Sequence, residues 1–336
     1  MTTNVENRAK MLGRIRQLPQ TRFLITGGHG MLGDSFARML RSFAPHCELR
    51  VLGKRELDVT RQEQLLSHAE WIRGGWILHC SALVNVEECA KHPELAKEII
   101  VEGTRRVADL AVGSNARVFY PQSFLIYDGQ PHPISEGHPP KPLSLYGQLK
   151  VEAERIVLNA DPASLSVRMA GFFGGESRDK NFVGKLIPHI AELIQRGEAS
   201  FAVGDRLWQP TWTDDLALNS LGLIAHGKTG VYQMACHGEA SFFDLTSAIV
   251  RELGWERFIN IRKVPASQVN KHELGGRPSK AVLSCSRVRE EGMDIQRPWR
   301  DALREYLASA YFDQFRQLQL AGSLRESLAP VAIPQQ

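Results

Sequence analysis

The sequence predicts an α/β fold, a doubly wound parallel sheet that carries a smaller C-terminal α/β lobe. Three observations predict it. Short β-rich runs alternate with amphipathic helical runs through the first half of the chain, a pattern that right-handed crossovers wind into a parallel sheet. The first β-rich run empties into a glycine-rich turn that opens a helix. Beyond residue 170 the alternation loosens, as expected where a second lobe is built from returning segments.

The elements follow in order. Arg22–Thr26 is the first strand, and Met31–Phe43 repeats Met31, Leu32, Phe36, Met39, Leu40 and Phe43 at helical spacing. Glu48–Leu52 is a second strand. Thr60 with Glu63 gives a capping-box signature ahead of a helix carrying Leu65, Leu66, Ala69 and Trp71. Trp76–His79 is a third strand, and Pro93 opens a helix reaching residue 111. Residues 117–120 are a fourth strand, 144–159 a helix and Leu165–Met169 a fifth strand. Between the fourth strand and that helix, residues 131–142 form a proline-rich surface loop. In the second half, residues 182–196, 242–253 and a Thr213-capped run to 225 read as helices; 231–235, 259–264 and 281–285 read as extended. The division that results is an N-terminal extension (1–20), a dinucleotide-binding domain (21–170, with 205–236 returning to it), a substrate-binding lobe (171–204 and 237–320) and a C-terminal tail (321–336). The basic extension reads as a solvated arm or as a partner contact.

Composition narrows the function. The 336 residues carry 41 basic and 37 acidic side chains, a formal charge of +4, with no basic block interleaved with aromatics. Nucleic acid is therefore not the expected partner, while an anionic small molecule suits the mild positive balance. Cys47, Cys80, Cys89, Cys236 and Cys285 are scattered and odd in number. That spacing argues against a disulfide framework or a zinc site and suits a reducing cytoplasm. No apolar run is long enough for a membrane helix, and residues 1–20 lack the apolar core of a secretory signal.

The turn Thr26-Gly27-Gly28-His29-Gly30-Met31-Leu32-Gly33 places Gly27, Gly30 and Gly33 at G-x-x-G-x-x-G spacing between a strand and a helix. Glycine lets the backbone close on a pyrophosphate, and the helix N-terminus offers it free N–H groups. This context predicts a dinucleotide site in a Rossmann-like domain. Where an acidic residue would select NADH, the second strand ends in Gly53-Lys54-Arg55. Two cations there favour the 2′-phosphate of NADPH, with NADH as the alternative; the other reading of Lys54 and Arg55 is ordinary exposed charge. Asp58 and Val59 follow on the adenine side. His29 reads as a phosphate contact or an exposed turn residue.

Tyr146 and Lys150 stand four apart at the start of a helix, so they share a face. An ammonium beside a phenol is expected to lower the phenol's pKa from about 10. Ser123 closes the fourth strand at the edge where open α/β sheets bind ligands. Together they form a constellation for proton transfer to a carbonyl.

These motifs resemble the extended short-chain dehydrogenase/reductases. Within them the chain is similar to the dTDP-4-dehydrorhamnose reductase group, which also holds the non-catalytic regulatory β subunit of methionine adenosyltransferase. The resemblance runs from Arg22 to about Leu307. It is carried by Gly27–Gly33, Leu57-Asp58-Val59, His79-Cys80-Ser81-Ala82, Glu102-Gly103-Thr104, Ser123 to Asp128-Gly129, Pro142-Leu143-Ser144-Leu145-Tyr146-Gly147-Gln148-Leu149-Lys150, Gln209 to Ala217, and Arg277-Pro278. It implies reduction of a nucleotide-activated 4-keto-6-deoxy sugar by NADPH, with Tyr146 as proton donor, Lys150 tuning it and Ser123 polarising the carbonyl. Gly27, His29, Gly30, Met31, Leu32, Gly33, Lys54, Arg55, Asp58, Val59, Cys80, Ser81 and Ala82 are then the cofactor residues, with Tyr146 and Lys150. Val84, Ser123, Phe124, Phe172, Asn181, Phe182, Trp208 and Arg277 are the substrate candidates, Arg277 for the pyrophosphate. Trp208 and Trp212 read equally as nucleobase platforms or packing, and Arg168 as structural. No metal is implied, and the oligomer implied is a homodimer.

Three departures bear on activity. Phe124 stands where the group often has an acid, Ile100 where an Asn often supports the active-site lysine, and Gly171-Phe172-Phe173-Gly174 where the rhamnose enzymes carry a Trp. They leave open a sugar-nucleotide epimerase or dehydratase, a reductase of a non-sugar ketone, and a regulatory subunit.

Overall fold

The computed structural model describes residues 4–269 and 273–317. The C-terminal tail, 321–336, lies outside the described residues. The strands are β1 (Arg22–Thr26), β2 (Glu48–Leu52), β3 (Trp76–His79), β4 (Arg117–Ser123), β5 (Leu165–Met169), β6 (Phe172–Phe173), β7 (Ser200–Gly204), β8 (Leu207–Trp208), β9 (Thr211–Trp212), β10 (Gly230–Met234), β11 (Ala240–Ser241) and β12 (Asn260–Val264). The helices are α1 (Asn4–Arg16), α2 (Met31–Phe43), α3 (Gln62–Leu66), α4 (Ala69–Ile72), α5 (Val86–Lys91), α6 (Pro93–Lys97), α7 (Gly103–Gly113), α8 (Leu145–Ala160), α9 (Phe182–Gln195), α10 (Thr213–Ala225), α11 (Phe242–Glu252), α12 (Ala266–Val269), α13 (Ser286–Glu290) and α14 (Trp299–Leu307).

Six parallel strands make one sheet in the order β10-β5-β4-β3-β1-β2. The order reverses beside β1, and the carboxyl ends of β1, β3 and β4 open into the crevice where such sheets bind ligands. The central strands β1, β3 and β5 are buried along almost their whole length, as parallel strands covered on both faces must be. One face packs Phe23, Ile25, Phe36, Phe119 and Leu221 under α2 and α10. The other packs Leu24, Ile77, Val107, Tyr120 and Leu149 under α7 and α8. A separate core joins Phe173, Ile187, Trp208, Leu245, Trp255, Trp299 and Leu303 in the second lobe.

The boundary between the lobes differs in detail from the sequence division. Trp208 packs in the second core, so the return to the sheet begins with α10. Leu283, Cys285, Val288 and Ile295 pack in the first core. Residues 281–285 hold a single isolated bridge, Leu283 with Ile134, in place of the expected strand.

The largest departure is at the N-terminus. Residues expected to be a solvated arm form α1, which buries Met11 and Ile15 against the α2–α10 face. Met11 lies over Gly222, where any side chain would collide with its thioether. Asn219 Nδ2 meets Met11 Sδ at 3.7 Å, and Arg8 pairs with the buried Asp215 at 3.4 Å. Two apolar residues four apart amid charges are a weak periodic signal, so the receiving glycine decided the outcome.

Two local readings also change. No capping box forms at Thr60: its hydroxyl donates to Asp58 at 2.8 Å, and Arg61 precedes the short α3. The helix opened by Pro93 runs to Gly113 but passes through a π turn over Glu98–Glu102. At Gly103 the next turn presses on Val59, 2.8 Å from where a methyl would stand. The cap before α10 is Trp212, with Thr213 already helical.

Gly222→Val is expected to destabilise the fold by about 1–3 kcal/mol through overpacking against Met11. The loss, read from thermal melts, should shrink in a Met11→Ala background, because the colliding atoms are then gone.

Candidate active site

The site is assembled at the carboxyl edge of the sheet. β4 ends at Ser123, whose Oγ accepts the Leu125 N–H at 3.2 Å and turns the chain into a short 3₁₀ segment, Phe124–Ile126. Ser144 caps α8, its Oγ accepting from Gly147 N at 3.2 Å. Gly147 is the contact that brings the two elements together. A methyl there would collide with the Leu125 carbonyl and stand 2.7 Å from Pro142 Cβ. With no side chain at 147, the first turn of α8 seats Tyr146 close enough to Ser123 for the serine hydroxyl to act on the phenol.

Lys150, one turn on, is 3% exposed. Its Nζ donates to the Pro121 carbonyl at 2.7 Å and lies 3.8 Å above the Tyr120 ring. Burial pulls this ammonium down to about 7, with Glu154 and Cys80 opposing the shift. Tyr146 moves the other way: burial pushes its phenol well above the usual range, and the Ser123 hydrogen bond only opposes that. The expectation that Lys150 lowers the phenol's pKa is thus reversed, because desolvation acts on both groups and disfavours each one's charged form. Tyr146 holds its proton at neutral pH, as a proton donor should.

Behind the pair runs a buried polar chain. Ser81 N donates to Thr26 Oγ1 at 3.4 Å, Thr26 meets His79 Nδ1 at 2.8 Å, and His79 Nε2 meets Thr104 Oγ1 at 3.1 Å. Thr104 donates to the Ile100 carbonyl, inside the π turn, at 2.5 Å. Burial holds His79 down to about 3, so it is neutral, and pushes Cys80 up to about 12. The apolar Ile100 side chain is buried, so its backbone is what joins this chain.

The glycine turn fits a dinucleotide. Gly27 has φ +62°, and a methyl on it would stand 2.8 Å from the Cys80–Ser81 backbone. A methyl on Gly33 would stand 2.5 Å from the Gly27 carbonyl. Gly30 precedes α2 without a side-chain cap, so the first N–H groups are free to face an anion. Met31 and Leu32 begin that helix, Leu32 buried beneath it. Lys54 and Arg55 are exposed beside the turn.

The whole arrangement can hold a dinucleotide along the strand ends and hold a phenol proton at its far end. Comparison with known proteins fits it. The family model described as RmlD substrate binding domain matches residues 21–312. The chain belongs to this family. It is 29% identical to the dTDP-4-keto-6-deoxy-D-glucose reductase of Streptomyces niveus, over 84% of this chain and 96% of that protein. It is 31% identical to the dTDP-4-dehydrorhamnose reductase of Streptomyces griseus, over 85% of this chain and 93% of that protein. The crystal structure of the Bacillus anthracis dTDP-4-dehydrorhamnose reductase, a complex with NADP, shares the fold at TM-score 0.76 and 23% identity, covering 85% of this chain and 98% of that one.

Most of the other residues singled out in this RmlD-family chain already have partners within the fold. Asp58 accepts from Thr60 N at 3.0 Å as well as from its hydroxyl, and Val59 is buried under Gly103. Arg277 does not present a free fork. It pairs with Glu87 at 2.6 Å and with Glu273 at 3.6 Å, and Arg206 grips Glu273 at 3.0 and 2.9 Å. Trp208 is buried, stacked 5.1 Å from Phe242, with its ring edge over Gly171 near Phe124. That is packing, and Gly171 is the residue that makes room for it. Phe182 meets Phe242 at 4.4 Å, Asn181 Nδ2 donates to the Phe172 carbonyl at 2.9 Å, and Ala82 and the exposed Val84 lie past Ser81. Arg168 is structural: it is buried on Glu154 at 2.8 and 3.1 Å and donates to Tyr127 Oη at 2.8 Å.

Sequence reading missed three contributors. Tyr120 underlies Lys150, Glu56 reaches back to Gly53, and Arg178 pairs with Asp34 of α2 at 3.4 Å, tying the lobe to the glycine turn. Glu56 left a signal: a carboxylate four residues beyond a strand end.

A buried lysine with a depressed pKa costs stability wherever it is charged in both states, below pH 7. That cost fades as pH rises toward the ordinary lysine value of 10.5, because the folded state then binds fewer protons than the unfolded one. Lys150→Met should therefore melt higher than the parent most clearly below pH 7, with the gap closing between pH 7 and 10.5.

Proposed function

We propose that this protein is an NADPH-dependent reductase of the keto group of a nucleotide-activated 4-keto-6-deoxy sugar. The observation that carries it is the Ser123–Tyr146 pair, proton-bearing at neutral pH, set beside a cradle built for a dinucleotide. The curated RmlD-family relatives named above support the reductase and the sugar class.

Gly27, Gly30 and Gly33 bring the backbone close enough to hold the cofactor pyrophosphate, and the α2 N-terminus faces it. Bound NADPH supplies the hydride. The carbonyl oxygen of the substrate lies between Ser123 Oγ and Tyr146 Oη. Ser123 donates a hydrogen bond that polarises it, and Tyr146 delivers the proton as negative charge builds on that oxygen. General acid catalysis of this kind contributes about 10²- to 10⁴-fold. Lys150 sits one turn below, where an ammonium stabilises the phenolate left behind; its near-neutral poise lets it give or take a proton in that step. Val84, Phe124, Phe172, Asn181 and Phe182 line the substrate side. Arg277 takes the substrate diphosphate by exchanging Glu87 and Glu273 for phosphate oxygens.

The test is oxidation of NADPH followed by absorbance with dTDP-, UDP-, GDP- and CDP-4-keto-6-deoxyhexoses. Turnover with one of them is expected, falling about 10²-fold or more in Tyr146→Phe. NADPH bound tightly but consumed with none of these sugars would overturn the reading and point to a non-sugar ketone or a regulatory subunit.

A further inference from the structure

The end of β2 is where an open α/β sheet reads the ribose 2′ position of a dinucleotide. Here that end is tied to the glycine turn, Gly28 N donating to the Leu52 carbonyl at 2.9 Å. A pyrophosphate held at the α2 N-terminus would bring its ribose toward this strand end. Two cations, Lys54 and Arg55, follow and are exposed. The fold adds a group that a linear reading of the strand end passes over. Residues 53–57 coil back on themselves, Glu56 N and Leu57 N both donating to the Gly53 carbonyl, at 3.0 and 2.9 Å. The coil returns the Glu56 carboxylate to the strand end. Its Oε2 accepts the Gly53 N–H at 2.7 Å and lies 3.4 Å from His29 Nε2. The imidazole packs over Gly53, where a methyl would stand 2.5 Å from Nδ1.

We infer that Glu56 is a displaceable carboxylate that sets the balance between NADH and NADPH. The inference rests on reading Gly27–Gly33 as a dinucleotide cradle. In place, the carboxylate accepts a hydrogen bond from a ribose 2′-hydroxyl and repels a 2′-phosphate. Displaced, it frees the Gly53 N–H and leaves Lys54 and Arg55 to meet the phosphate with charge-assisted bonds. Glu56 is half-exposed, with a side-chain accessibility of 49%, so it is free to leave. The site thus accepts both coenzymes, and NADPH binds against the work of moving one like charge. Lys54 and Arg55 alone would make the site selective; Glu56 withholds part of that selectivity.

Calorimetric Kd values for NADPH and NADH, without substrate, test this on the full chain. Glu56→Gln keeps an oxygen acceptor for the Gly53 N–H, so the turn is retained while the charge is removed. The wild type is expected to bind both coenzymes. In Glu56→Gln the preference for NADPH over NADH should rise by about fivefold, the effect of one exposed charge contact. Lys54→Ala should move the ratio the opposite way. Binding of both coenzymes with an unchanged ratio in Glu56→Gln would sink this inference and leave the reductase reading intact. Failure of the wild type to bind either one would overturn both.

Discussion

The site depends on one constraint: an amine must be kept inside the protein. Lys150 is held between a backbone carbonyl at Pro121 and the face of Tyr120, with almost no solvent. An isolated ammonium in such a place is expensive. The carbonyl and the ring offset part of that cost, and the amine yields the rest by lowering its proton affinity to about 7. The same desolvation keeps the Tyr146 proton in place. A phenol that keeps its proton and an amine of lowered proton affinity are thus produced by one cause, exclusion of water at the carboxyl edge of β4.

That exclusion needs rigid walls, and charge pairs far from the chemistry provide them. Glu154, on the same helix as Lys150, is locked by Arg168 from β5, which also fixes Tyr127. Arg38 joins Asp34 of α2 to Asp214 of α10, and Arg297 holds Asp215 from the second lobe. Removing one partner of a buried pair strands the other charge, so such pairs fix geometry more than they add stability. A second row of close pairs, partly buried, ties α5 to the second lobe. Arg206, Glu273, Arg277 and Glu87 alternate in sign along this row.

Much of the fold was legible in sequence because its signals are local. Five strands of the main sheet, the glycine turn and the Tyr146–Lys150 face were each set by residues within a few positions of one another. The π turn at Glu98–Glu102 was not legible: it leads into Gly103, which packs on Val59, forty-four residues earlier in the chain. Nor was α1, whose order depends on an unsubstituted Gly222. Trp208 could be read as a ligand platform or as packing; only the proximity of Phe242 and Gly171 chose packing. Arg277 stood out in sequence as a candidate for a phosphate group, but its pairing with Glu87 was not legible.

The sequence by itself determined which chemical groups the protein owns and which of them share a turn or a helix face. It placed glycines where a backbone must approach a phosphate, and a phenol one helical turn from an amine. Only the tertiary structure decided their charge states and their partners. Proton affinity depends on solvent exclusion and on charges within a few ångströms, and both are set by segments distant along the chain. Tyr146 therefore departs from ordinary behaviour in the direction opposite to the one its spacing from Lys150 suggests, Lys150 itself is pulled down by burial, and the carboxylate of Glu56 reaches a strand end that the linear order gives to two cations.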